Sequence, residues 1–158
     1  MLFRSNQSAG KSSLIEAVAG IRVPRAQGTA TRCPLEVRQR QLPESSTSVW
    51  SCQVSLRLEY DDRGVLAPRK NQTIEVVVFG PRLYDPALVE DMLARAQLAV
   101  LNPGIAAGDI AELSGESLLR AKRGELVKIA GKGRSFSRNV ICLDISGSQC
   151  CEIGIAHV

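Results

Sequence analysis

A loop of small and polar residues followed by an apolar run is the feature that most constrains what this chain can fold into. Residues 5–13 read Ser-Asn-Gln-Ser-Ala-Gly-Lys-Ser-Ser, and Gly10, Lys11 and Ser12 form the core of a phosphate-binding loop. The glycine lets backbone N–H groups approach phosphate oxygens, the lysine brings a positive charge to the outer phosphates, and the serine hydroxyl can ligate Mg²⁺. Apolar residues at 14, 15, 18 and 19 predict a helix whose N-terminus points at the same anion.

The same stretch has a plainer interpretation as a surface turn that caps a helix. The full phosphate-loop pattern asks for a glycine five residues before Gly10, and this chain has Ser5 there. A Cβ at that position crowds the tight turn and costs about 1–3 kcal/mol if the backbone is strained. Further matches along the chain are therefore needed to decide between the two interpretations.

Length and composition predict a single soluble domain. The chain has 158 residues, of which 44% are hydrophobic, and this content argues against disorder. No apolar run approaches the 18 residues of a membrane span, and the N-terminus lacks the apolar core of a signal peptide. We therefore expect a cytoplasmic protein.

The positive charge is spread over the chain. The net charge of +4 comes largely from scattered arginines, and aromatic residues make up only 4% of the sequence. A nucleic-acid module more often clusters its basic residues or interleaves them with stacking aromatics. We expect no nucleic-acid partner, and at most a weak attraction to acidic membranes or other polyanions.

The cysteines do not form a metal-binding pattern. The five cysteines contain no C-x-x-C pair, and the only histidine is His157, so the ligand spacing of a zinc site is missing. An odd number of cysteines without an export signal predicts reduced thiols. Cys52 and Cys142 fall in strand-like apolar patterns and are expected in the core.

The rest of the chain reads as alternating strands and helices. Only Leu2 and Phe3 precede the loop, although such loops normally follow a buried parallel strand, so we expect the chain to be cut short at its front. The predicted strands are 35–42 (an edge strand with weak alternation), 50–60, 73–79 and 139–146, and the segment 25–34 is predicted as a loop. A short helix is predicted at 117–128.

Two elements are predicted in more detail. The strand at 50–60 alternates well and places one set of side chains on a single face: Cys52, Val54, Leu56, Leu58 and Tyr60. Asp85 followed by Pro86 predicts the start of a helix, and Asn102 followed by Pro103 predicts its end. The buried face of this helix is predicted to contain Leu88, Met92, Ala96 and Ala99, with Leu93 and Val100 beside it.

With these segments in place, the chain resembles the front half of a dynamin-family GTPase domain, most like the fungal dynamin-like proteins. The resemblance spans residues 5 to about 147. A Gln-Ser phosphate loop paired with a Thr-Arg-x-Pro switch is far more specific than a phosphate loop alone. It implies an α/β P-loop NTPase fold with a mixed, mostly parallel sheet flanked by helices. The matching segments are Asn6–Ala17, Val23–Arg25, Gly28–Pro34, Arg95–Pro103 and Phe136–Gly147.

The resemblance also implies roles for individual residues. Lys11 would neutralise the β- and γ-phosphates of GTP, and Ser12 would hold Mg²⁺. Gln7 and Ser8 match residues that help order the attacking water and a charge-compensating cation. Thr31 matches the first-switch threonine, which approaches Mg²⁺ and the γ-phosphate and helps place the water. The catalytic set is thus Gln7, Ser8, Lys11 and Thr31, the metal ligands are Ser12 and Thr31, and the nucleotide-binding loop is Asn6, Gln7, Ser8, Ala9, Gly10, Lys11, Ser12 and Ser13. For Thr31, Gln7 and Ser8 the plainer alternative is ordinary loop polarity.

The sequence also departs from the family pattern. The second switch, Asp-x-Pro-Gly, and the guanine-reading Thr/Asn-Lys-x-Asp motif do not occur. The segment 144–147 fits a loose D-x-x-G pattern, but we interpret it as the end of a strand. We therefore expect a partial G domain over residues 1–147, a non-matching tail over 148–158, and similar weak affinities for ATP and GTP. The parts with which the family self-assembles and acts on membranes or microtubules are not present in this sequence.

Three hypotheses for function follow. The first is a fragment of a dynamin-like GTPase that hydrolyses GTP to GDP with Mg²⁺. The second is a catalytically incompetent remnant that binds nucleoside triphosphate weakly or does not fold alone. The third is an unrelated, non-enzymatic binding module with a chance phosphate loop, which the second match at Thr31 disfavours.

Overall fold

The architecture is a mixed sheet flanked by helices. The computed structural model describes residues 20–22, 32–42, 49–61, 64–66, 74–122, 134–147 and 156–157. The strands are β1 (Leu35–Gln41), β2 (Ser51–Leu58), β3 (Glu75–Val78), β4 (Val140–Gly147) and β5 (Ala156–His157). The helices are α1 (Val89–Leu101), α2 (Ala107–Ala111) and α3 (Gly115–Lys122). The strand order is β3-β2-β4-β1-β5, so the predicted α/β class with a mixed sheet is confirmed.

The pairing within the sheet differs from the expectation of mostly parallel strands. β1 and β4 pair in parallel from Leu35–Ile141 to Gln41–Gly147, whereas β2 pairs antiparallel with both β3 and β4. β5 is also antiparallel to β1. Parallel neighbours need a long crossover, which the segment containing the helices supplies between β1 and β4. β2 and β3 follow each other along the chain, and an antiparallel pair needs no crossover. Among the described strands, one pairing, that of β1 with β4, is parallel.

β1 is not the edge strand that its weak alternation suggested. It lies between β4 and the two-residue β5, which pairs with Glu36 and Val37. Leu35 and Val37 are 5% exposed on one face, and Glu36 is 1% exposed on the other. The alternation looked weak because both faces of this strand are buried at its start and one of them holds a charged residue.

One face of the sheet forms the core beneath α1. Cys52, Val54 and Leu56 of β2 are buried there, as are the facing residues of β4, Ile141 and Leu143. The predicted strand at 50–60 is confirmed with this face inward, although Leu58 and Tyr60 at its end are only partly buried. Cys142 is also buried as predicted, but it points to the opposite face of β4.

The helix predicted from Asp85-Pro86 to Asn102-Pro103 is confirmed. The Asp85 carboxylate accepts a hydrogen bond from the Ala87 N–H at 2.9 Å, a single 3₁₀ turn (Pro86–Leu88) follows, and α1 then continues to Leu101. Asn102 caps the other end, where its side chain donates to the Leu98 carbonyl at 2.7 Å. The predicted inward position of Leu88 is wrong because the 3₁₀ turn shifts the register, and Leu88 is exposed while Val89 is fully buried.

β3 confirms the strand predicted at 73–79, over a shorter range, and forms one edge of the sheet. Val76 and Val78 are 57% and 67% exposed, whereas Phe79 is buried and its N–H donates to the Val54 carbonyl at 2.9 Å. The chain then turns at Gly80, which has a φ of +69° and lies against Met92 of α1. The positive φ explains why a glycine occupies this position.

The helices after α1 are short. α2 was not predicted. At its C-terminal end, the Arg95 guanidinium of α1 donates hydrogen bonds to the carbonyl groups of Ala111 and Leu113. α3 begins at Gly115, two residues before the predicted start, because the Ser114 hydroxyl accepts a hydrogen bond from the Ser117 N–H and so caps the helix. Residues 123–128 of that prediction lie outside the described ranges. No helix in the described part of the chain has the length and apolar character needed to cross a membrane.

Candidate functional site

The predicted nucleotide site falls outside the part of the chain that the structure describes. This holds for the loop residues Asn6, Gln7, Ser8, Ala9, Gly10, Lys11, Ser12 and Ser13 and for the switch threonine Thr31. Their roles therefore stay predictions from the sequence. What the structure does describe is the framework on either side of them.

One residue shortly after the predicted first helix, Ile21, is packed in the core. Gly20 has a φ of +64°, the left-handed conformation that commonly follows the last turn of a helix. Ile21, which comes next, is 2% exposed and belongs to the core cluster. Gly20 directly follows the segment 14–19 that the sequence predicts as helical, and its conformation is one that commonly follows a helix.

The segment that follows Thr31 is fixed at the start of β1. The Arg32 carbonyl accepts a hydrogen bond from the Ser137 N–H at 2.9 Å, and the Pro34 carbonyl accepts one from the Ile141 N–H at 3.0 Å. Between them, Cys33 is buried, and burial raises the pKa of its thiol to about 11. The chain therefore leaves the switch region through a segment held by two backbone hydrogen bonds.

A turn at residues 136–139 supplies one of those hydrogen bonds and is itself tied to β2. The buried Asn139 side chain accepts from the Glu59 N–H at 2.9 Å and the Tyr60 N–H at 2.8 Å, and it donates to the Tyr60 carbonyl at 3.0 Å. The Arg138 guanidinium lies over the Tyr60 ring, 5.6 Å from its centre. Sequence reasoning missed this turn, although a serine followed two residues later by an asparagine is a pattern typical of side-chain-stabilised turns.

A charged network occupies the face of the sheet opposite α1. Glu36 accepts from Arg38 and from Arg57, each at 2.6 Å, and its own side chain is 2% exposed. Burial acts to raise the pKa of Glu36, but the hydrogen bonds and the charges of the two arginines outweigh burial and hold that pKa below its ordinary value. Arg57 also lies 3.0 Å from Glu59. Because both guanidinium groups face carboxylates, this network joins strands and does not offer a free anion site.

The D-x-x-G pattern at residues 144–147 lies within β4, as the sequence interpretation expected. The Asp144 side chain is 49% exposed, and its carboxylate is 4.0 Å from the Arg38 guanidinium. Among the described residues, no group of three or more histidine, cysteine or acidic side chains could hold a metal ion. This aspartate therefore sits in a strand rather than in a metal-binding loop.

Comparison with known proteins identifies the region that contains the predicted site. Residues 4–75 match the sequence model of the Dynamin family, and this range includes both the phosphate loop and Thr31. Over these residues the chain is similar to the Dynamin family. Together with the mixed sheet flanked by helices, this match shows the P-loop GTPase fold that the sequence predicted.

Individual relatives support the same relationship. Protein Mx1 of Mus musculus is 36% identical over 104 residues, which cover 66% of this chain and 21% of the relative. Interferon-induced GTP-binding protein Mx2 of Mus musculus is also 36% identical over 66% of the chain, and its counterpart of the same name in Ictalurus punctatus is 30% identical over 66%. The matched region spans 12% and 13% of those two proteins. The chain thus corresponds to about a fifth or less of each of these relatives.

Proposed function

We propose that this chain binds GTP through residues 5–13 and is part of a dynamin-type GTPase that hydrolyses GTP to GDP and phosphate with Mg²⁺. The observation that carries the proposal is the family match over residues 4–75, a range that holds the phosphate loop and Thr31 together. Two of the relatives described above are named as GTP-binding proteins. A turn that imitates a phosphate loop by chance does not account for a match of this length.

The proposed chemistry assigns a task to each predicted residue. Lys11 places its ammonium group against the β- and γ-phosphates and offsets negative charge there. Gln7 and Ser8 orient the water that attacks the γ-phosphate in line with the leaving oxygen. This positioning and charge compensation are the main contributions that a protein makes to phosphoryl transfer.

The predicted site also includes suitable ligands for Mg²⁺. Ser12 and Thr31 provide hydroxyl oxygens, and Mg²⁺ prefers hard oxygen ligands completed by phosphate oxygens and water. When bound, the metal would supply positive charge that neutralises the negative charge of the phosphates. Holding Thr31 in position is then part of the task of the surrounding protein.

We also propose the domain bounds, the localisation and the assembly that the sequence led us to expect. Residues 1–147 form part of a dynamin-type G domain, and 148–158 form a tail outside it. The parent protein is a cytoplasmic, fungal-type dynamin-like protein that associates peripherally with membranes or with microtubules. It self-assembles through regions that this sequence does not include.

A nucleotide titration tests the proposal. We expect saturable binding of Mg²⁺·GTP with release of phosphate, and we expect Lys11→Ala to weaken binding about tenfold or more, which is ~1.4 kcal/mol. Lys122→Ala, which removes a lysine at the end of α3, serves as the matched control and should leave the affinity unchanged. Equal affinities of wild type and Lys11→Ala would contradict the phosphate-loop assignment.

Adding ATP to the titration separates the first two hypotheses. Similar weak affinities for GTP and ATP without phosphate release would support a remnant that binds the triphosphate only through its phosphates. Phosphate release from GTP that stops when EDTA removes Mg²⁺ would support the GTPase.

A further inference from the structure

The turn at residues 136–139 holds the chain directly after Thr31. Its Ser137 N–H donates to the Arg32 carbonyl at 2.9 Å, and two residues further on the Ile141 N–H donates to the Pro34 carbonyl at 3.0 Å. Thr31 is joined to Arg32 by a single peptide bond, so the carbonyl that Ser137 holds belongs to the residue directly after the switch threonine. The position of this turn therefore sets the point from which the switch segment departs.

Asn139 fixes the turn to the end of β2. The residue is 6% exposed, and its side chain makes three hydrogen bonds to the backbone of Glu59 and Tyr60. Its own N–H donates to the Ser137 hydroxyl at 3.2 Å. The Asn139 side chain thus holds one end of the turn beside the end of β2, the Asn139 N–H contacts Ser137, and the Ser137 N–H contacts the segment that leads into β1.

We propose that Asn139 is a positioning residue for the first switch, and this inference rests on the proposed GTPase function. Asn139 holds the Ser137 turn, Ser137 holds the Arg32 carbonyl, and Arg32 in turn limits where Thr31 can lie. Groups that contact the metal and the attacking water have to be placed to within about 0.5 Å, and a misplacement of about 1 Å can cost up to a hundredfold in rate.

The inference predicts a separation between catalysis and binding. The proposed nucleotide affinity comes from the phosphate loop, whereas the hydrogen bonds that the structure describes for Asn139 go to Glu59, Tyr60 and Ser137. A loss of the network should therefore affect the reaction step more than GTP affinity. A mutation that lowers kcat with little change in KM has removed an interaction that matters mainly in the transition state.

The test compares three variants of the full chain. We expect Asn139→Ala to lower kcat for Mg²⁺·GTP about tenfold and to change KM less than about twofold. Asn139→Asp keeps acceptors for the two N–H groups, but its second carboxylate oxygen faces the Tyr60 carbonyl without a proton to donate, so it should recover kcat only in part. Asn102→Ala is the matched control, because Asn102 is a buried asparagine (8% exposed) that bonds to Leu98 at the end of α1. At comparable loss of thermal stability it should leave kcat unchanged.

A hydrogen-exchange measurement checks the physical link. The Asn139 side chain does not contact the Ser137 N–H, so faster exchange at Ser137 in Asn139→Ala, but not in Asn102→Ala, would show that the turn depends on Asn139. Equal kcat values in Asn139→Ala and Asn102→Ala, with an active wild type, would overturn this inference alone. A wild type that neither binds nor hydrolyses GTP would overturn the proposed function and the role of Asn139 in it. The exchange rate of the Ser137 N–H would still show whether the turn depends on Asn139. If Asn139→Ala does not fold, Asn139→Asp carries the comparison.

Discussion

At the scale of single residues, Glu36 shows how one buried carboxylate connects β1 with β2. It lies on β1 opposite Cys142 of β4, and Arg57 reaches across β4 from β2 to contact it at 2.6 Å. A buried carboxylate is costly unless it is paired and hydrogen-bonded, and here two arginines satisfy it. Because the partners come from different strands, the network favours this strand arrangement over others.

The first prediction concerns Glu36→Gln. Removing the charge takes away the buried counter-charge that Arg38 and Arg57 share, so we expect the free energy of unfolding to fall by about 1–3 kcal/mol at pH 7. Urea denaturation measures this loss. The control is Asp91→Asn, which breaks a surface ion pair with Arg95 and should cost about 0.5 kcal/mol or less. Equal losses in the two variants would contradict the structural role of Glu36.

The same carboxylate predicts a pH dependence. Because the pKa of Glu36 in the folded chain lies below its ordinary value, its stabilising contribution is present above the unfolded pKa of about 4.3. That contribution is lost as the pH falls below about 4.3 through the folded-state pKa. Between pH 7 and pH 3 the wild type should therefore lose more stability than Glu36→Gln. Parallel curves for both proteins would show that Glu36 does not contribute to the acid sensitivity.

At the scale of elements, local signals were read correctly where the structure depends on local contacts. Asp85 and Pro86 predicted the start of the helical segment because a capping carboxylate and a proline act within one turn. The inward face was misread by one residue at Leu88, since a 3₁₀ turn cannot be distinguished from an α-turn by spacing alone. The exposure of Val76 and Val78 could not be predicted either, because the amino-acid composition of a strand does not show whether the strand lies at the edge of a sheet.

The second prediction concerns Gly80, which joins β3 to α1. An added Cβ would meet the Met92 sulfur at 2.8 Å, and the φ of +69° is unfavourable for alanine. We expect Gly80→Ala to lose about 1–3 kcal/mol of stability in urea denaturation. Gly64→Ala is the control, because Gly64 has a φ of +76° but open space around its Cβ position, and it should lose only about 1 kcal/mol. A larger loss for Gly64→Ala would contradict this account of the contact.

At the scale of the whole molecule, the elements could be predicted from the sequence more fully than their arrangement. The strands at 50–60 and 139–146 were predicted from their local sequences, but their mutual antiparallel pairing depends on contacts between residues far apart in the chain. The Asn139 anchor escaped prediction for the same reason, since its partners lie about eighty positions earlier. The candidate site was predicted from local motifs and a family resemblance, and its residues lie outside the described ranges.

The third prediction tests the packing of the whole sheet through its thiols. Cys33, Cys52 and Cys142 are free and buried, and burial raises the pKa of Cys33 to about 11 and, aided by the Asp144 charge, that of Cys52 to about 12. At pH 7.5 we expect N-ethylmaleimide to spare all three in native buffer and to modify them in urea, as followed by peptide mass spectrometry. Rapid labelling of all three in native buffer would show that the sheet does not form in the isolated chain.

The central claim is that one GTP is gripped from two sides, by the loop around Lys11 and by Thr31. A crystal structure with Mg²⁺ and a non-hydrolysable GTP analogue measures this most directly. We predict the Lys11 ammonium within hydrogen-bond distance of the β- and γ-phosphates, and the Ser12 and Thr31 oxygens at about 2.0–2.1 Å from the metal. A structure in which Thr31 lies on the far side of the molecule from Lys11, with no room for an anion between them, would contradict the account.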